Sequence, residues 1–345
     1  MTKLTYDQSG VNIDEANQAK KEMSKSLETE EKRVLNKLGA FASLYNIHFP
    51  DYKEPVLVLK TEEPGSKQLL AFQHDRVESI CYDMINHLIN DCIVMGAKPL
   101  SVQDAVICGK LKKDVITRIV AAVAKACEEQ ECVLTGGETS EQPGVLEGGN
   151  YVLTSSIVGI VDRAEIVDGS KIEEGDVVIA LEASGLHTNG YTMVRELIKR
   201  SPEVIGEKID GKSFIDIVME PHRCYYKTIK DLFGTGKING LAHITGGGIK
   251  ENLNRILPAD KDAVINLASY QVLPIFKYIK EKGDVDDEEM LRTFNMSIGL
   301  VMVVNPKDSQ SIMEHVKNNG VNCYEIGKIV NGNKTVHTEG DIMWS

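Results

Sequence analysis

The chain lacks any run of about 18 consecutive apolar residues, the length a bilayer-spanning helix needs. Its opening, Met1-Thr2-Lys3-Leu4-Thr5-Tyr6, carries no apolar signal core. Neither export nor membrane insertion is expected, and a cytoplasmic location is. Positive charge is also short: 39 lysines and arginines stand against 51 aspartates and glutamates, for a formal net charge of -12. Nucleic acid and anionic membrane surfaces are therefore disfavoured as partners, because both reward clustered cations. Anionic metabolites need a local site or a bridging cation. The 7 cysteines form no C-x-x-C pair and lie mostly inside apolar segments, as reduced, buried thiols do. Familiar nucleotide fingerprints are missing as well. Phe233-Gly234-Thr235-Gly236-Lys237 lacks the upstream glycine of a P-loop, and no G-x-G-x-x-G follows a strand. His222-Arg223-Cys224 has no second ligand pair at zinc-site spacing. Any ATP site has to be of another kind.

What is present is a chain of 345 residues with 42% hydrophobic content, long enough for two domains. Apolar runs and helical periodicity alternate, giving a mixed α/β (α+β) reading. Val56-Leu57-Val58-Leu59 reads as a buried strand, 79–95 as a helix, 100–108 as a strand, 114–129 as a helix and 151–161 as a strand. A second series follows, with strands at 176–181, near 240, and at 262–267, 298–304 and 323–330. Its helices are expected near 190–200, 221–233, from Gly248, and near 273–282 and 308–318. The polar turn Asp168-Gly169-Ser170 marks a boundary between domains 1–168 and 169–345. Within the first, the charged stretch 18–38 makes residues 1–54 a flexible arm or lid.

Three constellations carry chemistry. The first is the glycine-rich Gly136-Gly137-Glu138-Thr139-Ser140-Glu141-Gln142-Pro143-Gly144, read as a loop. Glycines permit close backbone approach, Glu138 and the more tentative Glu141 can hold a hard cation, and hydroxyls can donate to an anion. A polar turn with a Pro-Gly exit is the plain alternative. The second is the helix 79–95. It is apolar around most of its circumference, yet Asp83, His87, Asn90 and Asp91 share one face. Buried carboxylates persist when paired, hydrogen-bonded or metal-bound, so this stripe either points into a cleft or meets solvent. Asp104, interrupting the apolar strand 102–107, favours the cleft. Carboxylates converging from several elements suit Mg²⁺ shared with a polyphosphate. The third lies in the second half. His243-Ile244-Thr245-Gly246-Gly247-Gly248 and Ser184-Gly185-Leu186-His187-Thr188-Asn189-Gly190-Tyr191 each lead from a strand into a helix. Such turns aim backbone N–H groups at an anion. His187 is suited to acid–base work or to clamping a phosphate. Each segment also reads simply as a tight turn.

At these residues the chain resembles the phosphoribosylformylglycinamidine cyclo-ligase (AIR synthetase) family, nearly end to end. Tyr6 with Gly10-Val11-Asn12-Ile13-Asp14 and Asn17 is similar to the family's opening Y-x-x-A-G-V-D-I-x-x-G-N. Asn90-Asp91 with Gly96-Ala97-Lys98-Pro99-Leu100, the 136–144 run, Ser184–Tyr191, His243–Gly248 and Arg292-Thr293-Phe294-Asn295 follow in family order. The resemblance implies two α/β domains in each subunit and a homodimer whose N-terminal strands form a shared barrel. It implies ATP and Mg²⁺ as cofactors, admits a monovalent cation, and makes the substrate a small nucleotide. The implied reaction activates the amide oxygen of formylglycinamidine ribonucleotide with ATP and closes the ring to aminoimidazole ribonucleotide. By the same resemblance His187, Lys67 and Asp91 are catalytic. Glu62, Gly65, Lys67, Gly136, Gly137, Glu138 and Thr139 bind ATP, and Ser184, His187, Asn189, Thr245, Gly246, Gly247 and Gly248 bind substrate or phosphate. Asp91, Glu138 and Asp104 hold the metal, with Asp83 and Glu62 as lesser ligands. The chain departs from the family's T-D-G-V-G-T-K at Thr61-Glu62-Glu63-Pro64-Gly65-Ser66-Lys67, and from its G-G-F-G at Gly39-Ala40-Phe41-Ala42. That departure keeps two alternatives open: another ATP-dependent enzyme of the superfamily, of the small-molecule kinase type, or a catalytically silent nucleotide-binding paralogue.

Overall fold

The computed structural model describes residues 13–36 and 40–345. Tyr6, Gly10-Val11-Asn12 and Gly39, which carry part of the family resemblance, lie outside the described residues. Two compact units form, each built around its own sheet. The first takes the described residues up to Cys92 with Pro99–Ile160, the second Ile93–Lys98 with Val161–Ser345.

The first unit runs α1 (Ile13–Ser26), β1 (Pro55–Glu62), α2 (Lys67–Gln73), α3 (Val77–Ile93), β2 (Lys98–Cys108), α4 (Lys113–Glu129), β3 (Val133–Glu141) and β4 (Tyr151–Asp162). Its sheet has the order β1-β4-β2-β3, with β2 and β3 parallel. Ile80, Met84, Ile85, Leu88 and Ile89 of α3 are fully buried, as the all-round apolar pattern of that helix predicts. Along β1 the residues alternate between half-buried and exposed. Leu57 and Leu59 stand in solvent at 50% and 71% exposure. The expected buried strand is thus half open, because an edge strand covered on one side only keeps the period-two pattern.

Two further expectations change here. The charged stretch expected as a flexible arm contains α1, which packs on α4. Ala19 and Met23 of α1 are buried, Glu15 accepts a hydrogen bond from the Lys113 amide at 3.2 Å, and Glu22 pairs with Lys113 Nζ at 2.8 Å. High charge hid an amphipathic face. The run 136–141 is no loop but the second half of β3, paired in register with β2 from Gln103↔Gly136 to Cys108↔Glu141. A bulge between Val102 and Gln103 and the positive φ of 151° at Gly136 let the strand continue through glycines.

The second unit runs β5 (Val177–Glu182), α5 (Tyr191–Arg200), a small hairpin of β6 (Lys208–Ile209) and β7 (Lys212–Ser213), α6 (Phe214–Val218) and α7 (Tyr226–Ile229). Then come β8 (Ile238–His243), α8 (Gly248–Asn254), β9 (Lys261–Asn266), β10 (Gln271–Val272), α9 (Pro274–Gly283) and α10 (Asp287–Thr293). It closes with β11 (Ile298–Val304), α11 (Pro306–Asn318), β12 (Cys323–Asn331), β13 (Val336–Glu339) and β14 (Met343–Trp344). The main sheet has the order β13-β9-β12-β5-β11-β8 and is mixed, with β13 parallel to β9 and the other pairs antiparallel. The helix expected near 221–233 starts only at Tyr226, as the single turn of α7 continued by a 3-10 turn over Lys230–Leu232. The units change over at Ile160–Val161, before the polar turn 168–170. That turn is anchored in the second unit, since a Cβ on Gly169 would strike the carbonyl of Ile256, and Asn239 donates to Asp176 at 2.8 Å.

Candidate functional site

The polar stripe of α3 meets β1 and the start of α2. Lys60 and Glu62 lie on the half-buried face of β1. Lys60 Nζ sits 2.9 Å from Glu62 Oε2 and 2.9 Å from Asp91 Oδ2, and His87 Nε2 lies 3.8 Å from both carboxylates. Partial burial works against the ammonium charge of Lys60, but hydrogen bonds to Asp91 and Glu62 outweigh it and raise its pKa. Two carboxylates therefore converge on one cation. A bivalent oxygen-only donor pair at a partly open edge fits Mg²⁺, which takes few protein carboxylates and keeps its other positions for water or phosphate. Lys60 itself was not legible as a site residue, because a lysine near the end of an apolar strand reads as a solvent anchor.

Lys67, expected to face phosphate oxygens, is fully enclosed. Its Nζ lies 2.9 Å from Asp83 Oδ1 and 2.8 Å from Oδ2, and both side chains are 0% exposed. The altered segment before it has a local role. Glu63 accepts from the Gly65 amide at 2.9 Å and from Gln68 Nε2 at 3.4 Å, so its added charge is spent on the start of α2. Gly65 takes φ 65°, the left-handed conformation this turn requires.

Asp104 lies on the covered side of β2, 9% exposed, with Oδ2 lacking any hydrogen-bond partner. Burial pushes its carboxyl up to about 7. Its Oδ1 stands over Gly137, where any Cβ would collide with it, so the glycine is required by the carboxyl. Glu138 is exposed on β3, and Thr139 is half-buried beside it. Among the described residues Glu138 joins no close group of metal-ligating side chains. Glu141 accepts from the Leu111 amide at 2.7 Å and so organises the approach to α4. Asp104 makes a testable contribution to stability. Its folded pKa exceeds the ordinary 3.8, so folding favours the protonated form, and that stabilisation is lost as pH rises through about 7. The loss reaches about 4 kcal/mol across that window. In urea unfolding with EDTA, Asp104→Asn gains stability over the wild type between pH 5 and pH 8. Parallel pH curves for the two proteins contradict the assignment.

In the second unit, the two glycine turns are held by a clamp that sequence reading did not resolve. Asn295 Nδ2 donates to the Gly185 carbonyl at 2.9 Å, and Phe294 fills the space a Cβ on Gly190 would take. The Gly247 amide donates to the Arg292 carbonyl at 3.1 Å. The run Arg292-Thr293-Phe294-Asn295 thus ties 184–191 to 245–248. Asn252 of α8, 2% exposed, donates to the carbonyls of Thr245, Gly246 and Gly248 at 3.3, 3.1 and 2.8 Å. Asn189 Oδ1 lies beside Gly246, within ordinary reach of where a Cβ would stand. Ser184 Oγ donates to the Pro221 carbonyl at 2.7 Å, and its amide donates to His187 Nε2 at 3.2 Å. His187 is 1% exposed and takes φ 60°, a conformation held by its surroundings. The structure therefore gathers Ser184, His187, Asn189 and Thr245–Gly248 in one region of this unit.

The fold defines a class. Thiamine-monophosphate kinase from Stenotrophomonas maltophilia superposes with a TM-score of 0.68 at 15% identity, over 94% of this chain and 95% of that one. The hydrogenase maturation protein HypE, solved in complex with ATP, gives 0.68 at 15% identity over 92% and 89%. At that identity the likeness concerns the fold alone. Family models place an AIR synthase related protein N-terminal domain at residues 46–161 and the C-terminal domain at 173–339. The phosphoribosylformylglycinamidine cyclo-ligase of Methylobacillus flagellatus is 40% identical over 328 residues, 94% of each chain. That of Clostridium botulinum is 38% identical over 337 residues, 96% of this chain and 99% of the relative. The chain belongs to the AIR synthase related family, in its phosphoribosylformylglycinamidine cyclo-ligase branch. Among the described residues no helix is long and apolar enough to cross a membrane.

Proposed function

We propose that the chain catalyses the ATP-dependent cyclisation of formylglycinamidine ribonucleotide to aminoimidazole ribonucleotide. The observation that carries this reading is the end-to-end match with enzymes of that name, at 40% identity over 94% of both chains. In the reaction the γ-phosphoryl group moves from ATP to the amide oxygen. A substrate nitrogen then attacks the activated carbon, the carbon–oxygen bond breaks as phosphate departs, and the nitrogen loses its proton. In the first unit, Asp91 and Glu62 hold the metal, with Glu138 reserved for the nucleotide. Bound Mg²⁺ supplies charge neutralisation for the polyphosphate. Lys60 bridges the same two carboxylates and would share their charge with the metal, and Lys67 supports the site by pairing with Asp83. In the second unit, the Thr245 and Gly246 amides receive the substrate phosphate, the Gly247 and Gly248 amides being held on the Arg292 and Thr245 carbonyls. His187, whose Nε2 already accepts from Ser184, offers its Nδ1–H as a donor. Incubation of the pure protein with the purine intermediate, ATP and Mg²⁺ yields stoichiometric ADP and aminoimidazole product. ATP turnover driven by thiamine monophosphate, with none from the purine intermediate, transfers the reading to the kinase type.

The enzyme works as a homodimer joined through the open face of the first unit's sheet. That face presents Leu57, Leu59 and Val152 to solvent, with the Thr61–Ser156 hydroxyl pair at 2.9 Å among them. Contiguous exposed apolar strand residues on a half-covered sheet call for a cover. Leu59→Glu converts the dimer to monomer in light scattering at micromolar concentration, and a variant that stays dimeric moves the interface elsewhere.

A further inference from the structure

Three histidines distant in sequence meet inside the second unit. His187, His222 and His243 are all buried, with a ring nitrogen of each within 4.8 Å of the others. The His222 ring stacks on His187, centroids 3.9 Å apart and planes at 23°, and its Nε2 lies 2.9 Å from Nε2 of His243. A backbone amide can only donate, so the Ser184 amide, 3.2 Å from His187 Nε2, fixes a lone pair there and the ring proton on Nδ1. The edge of the His187 ring abuts β11. A Cβ on Gly299 would stand 2.7 Å from His187 Cε1 and would strike the Tyr225 hydroxyl. That hydroxyl is itself fixed, donating to the Glu182 carbonyl at 2.9 Å.

A transition-metal centre is the obvious rival for three imidazoles, and two features oppose it. A metal about 2.0–2.1 Å from nitrogen lies near the plane of each ligating ring, which two stacked, nearly parallel rings cannot share. Ligation through His187 Nε2 would displace the Ser184 amide. Ligation through Nδ1 would leave that ring with no proton at all. Stacking and hydrogen bonding need no rearrangement.

We propose that His222 is a positioning residue: anchored through Nε2 to His243, its ring face holds His187 in the left-handed backbone conformation and the Nδ1–H tautomer. His187 then serves as a hydrogen-bond donor to an anionic oxygen of the reacting nucleotide, not as a base. The role rests on the cyclo-ligase reading, but the tautomer is measurable without turnover.

The test uses full-length protein labelled with ¹⁵N-histidine. In the wild type, His187 shows a protonated Nδ1 and an unprotonated Nε2. In His222→Leu the two nitrogen signals of His187 move toward a tautomer mixture, and kcat falls about tenfold or more while the KM for ATP stays unchanged. His222→Phe, which keeps a stacking face, retains a larger share of both the tautomer and kcat than the leucine variant. An unchanged His187 tautomer in a folded His222→Leu protein, with wild-type kcat, overturns the proposal, as does a His222→Phe protein that loses as much of both as the leucine variant. So does one equivalent of zinc bound by the purified wild type and lost with His222. A shifted tautomer in a protein whose wild type never cyclises the purine intermediate leaves the positioning role standing and removes the cyclo-ligase reading instead.

Discussion

Asp91→Asn lowers kcat for cyclisation by about 10²-fold or more, the scale on which a preorganised charge in an active site acts. The substitution keeps shape and removes charge. In the wild type, Asp91 Oδ2 shares Lys60 with Glu62 at 2.9 Å each, and no other carboxylate stands as close to that ammonium among the ion pairs described. With asparagine in place, the site keeps Glu62 alone for a divalent cation. Stability changes by less than about 1 kcal/mol, because partly exposed ion pairs contribute little. Steady-state kinetics with varied Mg²⁺, alongside urea unfolding, separates the two effects. A variant that keeps wild-type kcat removes Asp91 from the metal site, and one that unfolds assigns it to the core.

Lys67→Met has the largest expected effect on folding. Asp83 is left 0% exposed without the ammonium that stands 2.8–2.9 Å away. Breaking a buried pair from one side costs about 3–5 kcal/mol, since the remaining charge stays buried without its counter-charge. The double variant Lys67→Met/Asp83→Leu recovers most of the loss, because removing both charges lifts both desolvation penalties. Urea midpoints for the two single variants and the double variant complete the cycle. Additive losses show that the pair is not coupled and that Lys67 is held for another purpose. The cycle also bears on function, since Lys67 was expected to meet phosphate and stands instead as the counter-charge of a core aspartate.

The sequence made the polar stripe of α3 visible because helical geometry alone places 83, 87, 90 and 91 on one face, whatever the rest of the chain does. What the stripe meets was not visible. Lys60 belongs to a strand, and its approach to Asp91 depends on where β1 lies against α3, which no local pattern encodes. The 136–141 run was misread for a related reason. Glycine, glutamate and threonine favour turns locally, yet pairing with β2 and the carboxyl of Asp104 over Gly137 hold them extended. Spacing rules dismissed His222 as a zinc ligand, and the stacking geometry agrees. Those rules had no means of showing that residues 35 and 21 positions away in sequence would close around it. The clamp Arg292-Thr293-Phe294-Asn295 was legible as a family motif, while its work, joining two glycine turns through one asparagine and one phenylalanine ring, required the fold.

The central claim is that ATP activates the amide oxygen of the substrate and that this oxygen leaves as phosphate when the ring closes. Formylglycinamidine ribonucleotide labelled with ¹⁸O in the amide, incubated with the protein, ATP and Mg²⁺, puts that claim in one mass spectrum. One atom of label per turnover in inorganic phosphate, with none in ADP, is the predicted result. Aminoimidazole product formed with the label in water, or ATP consumed while the label stays in unreacted substrate, contradicts it.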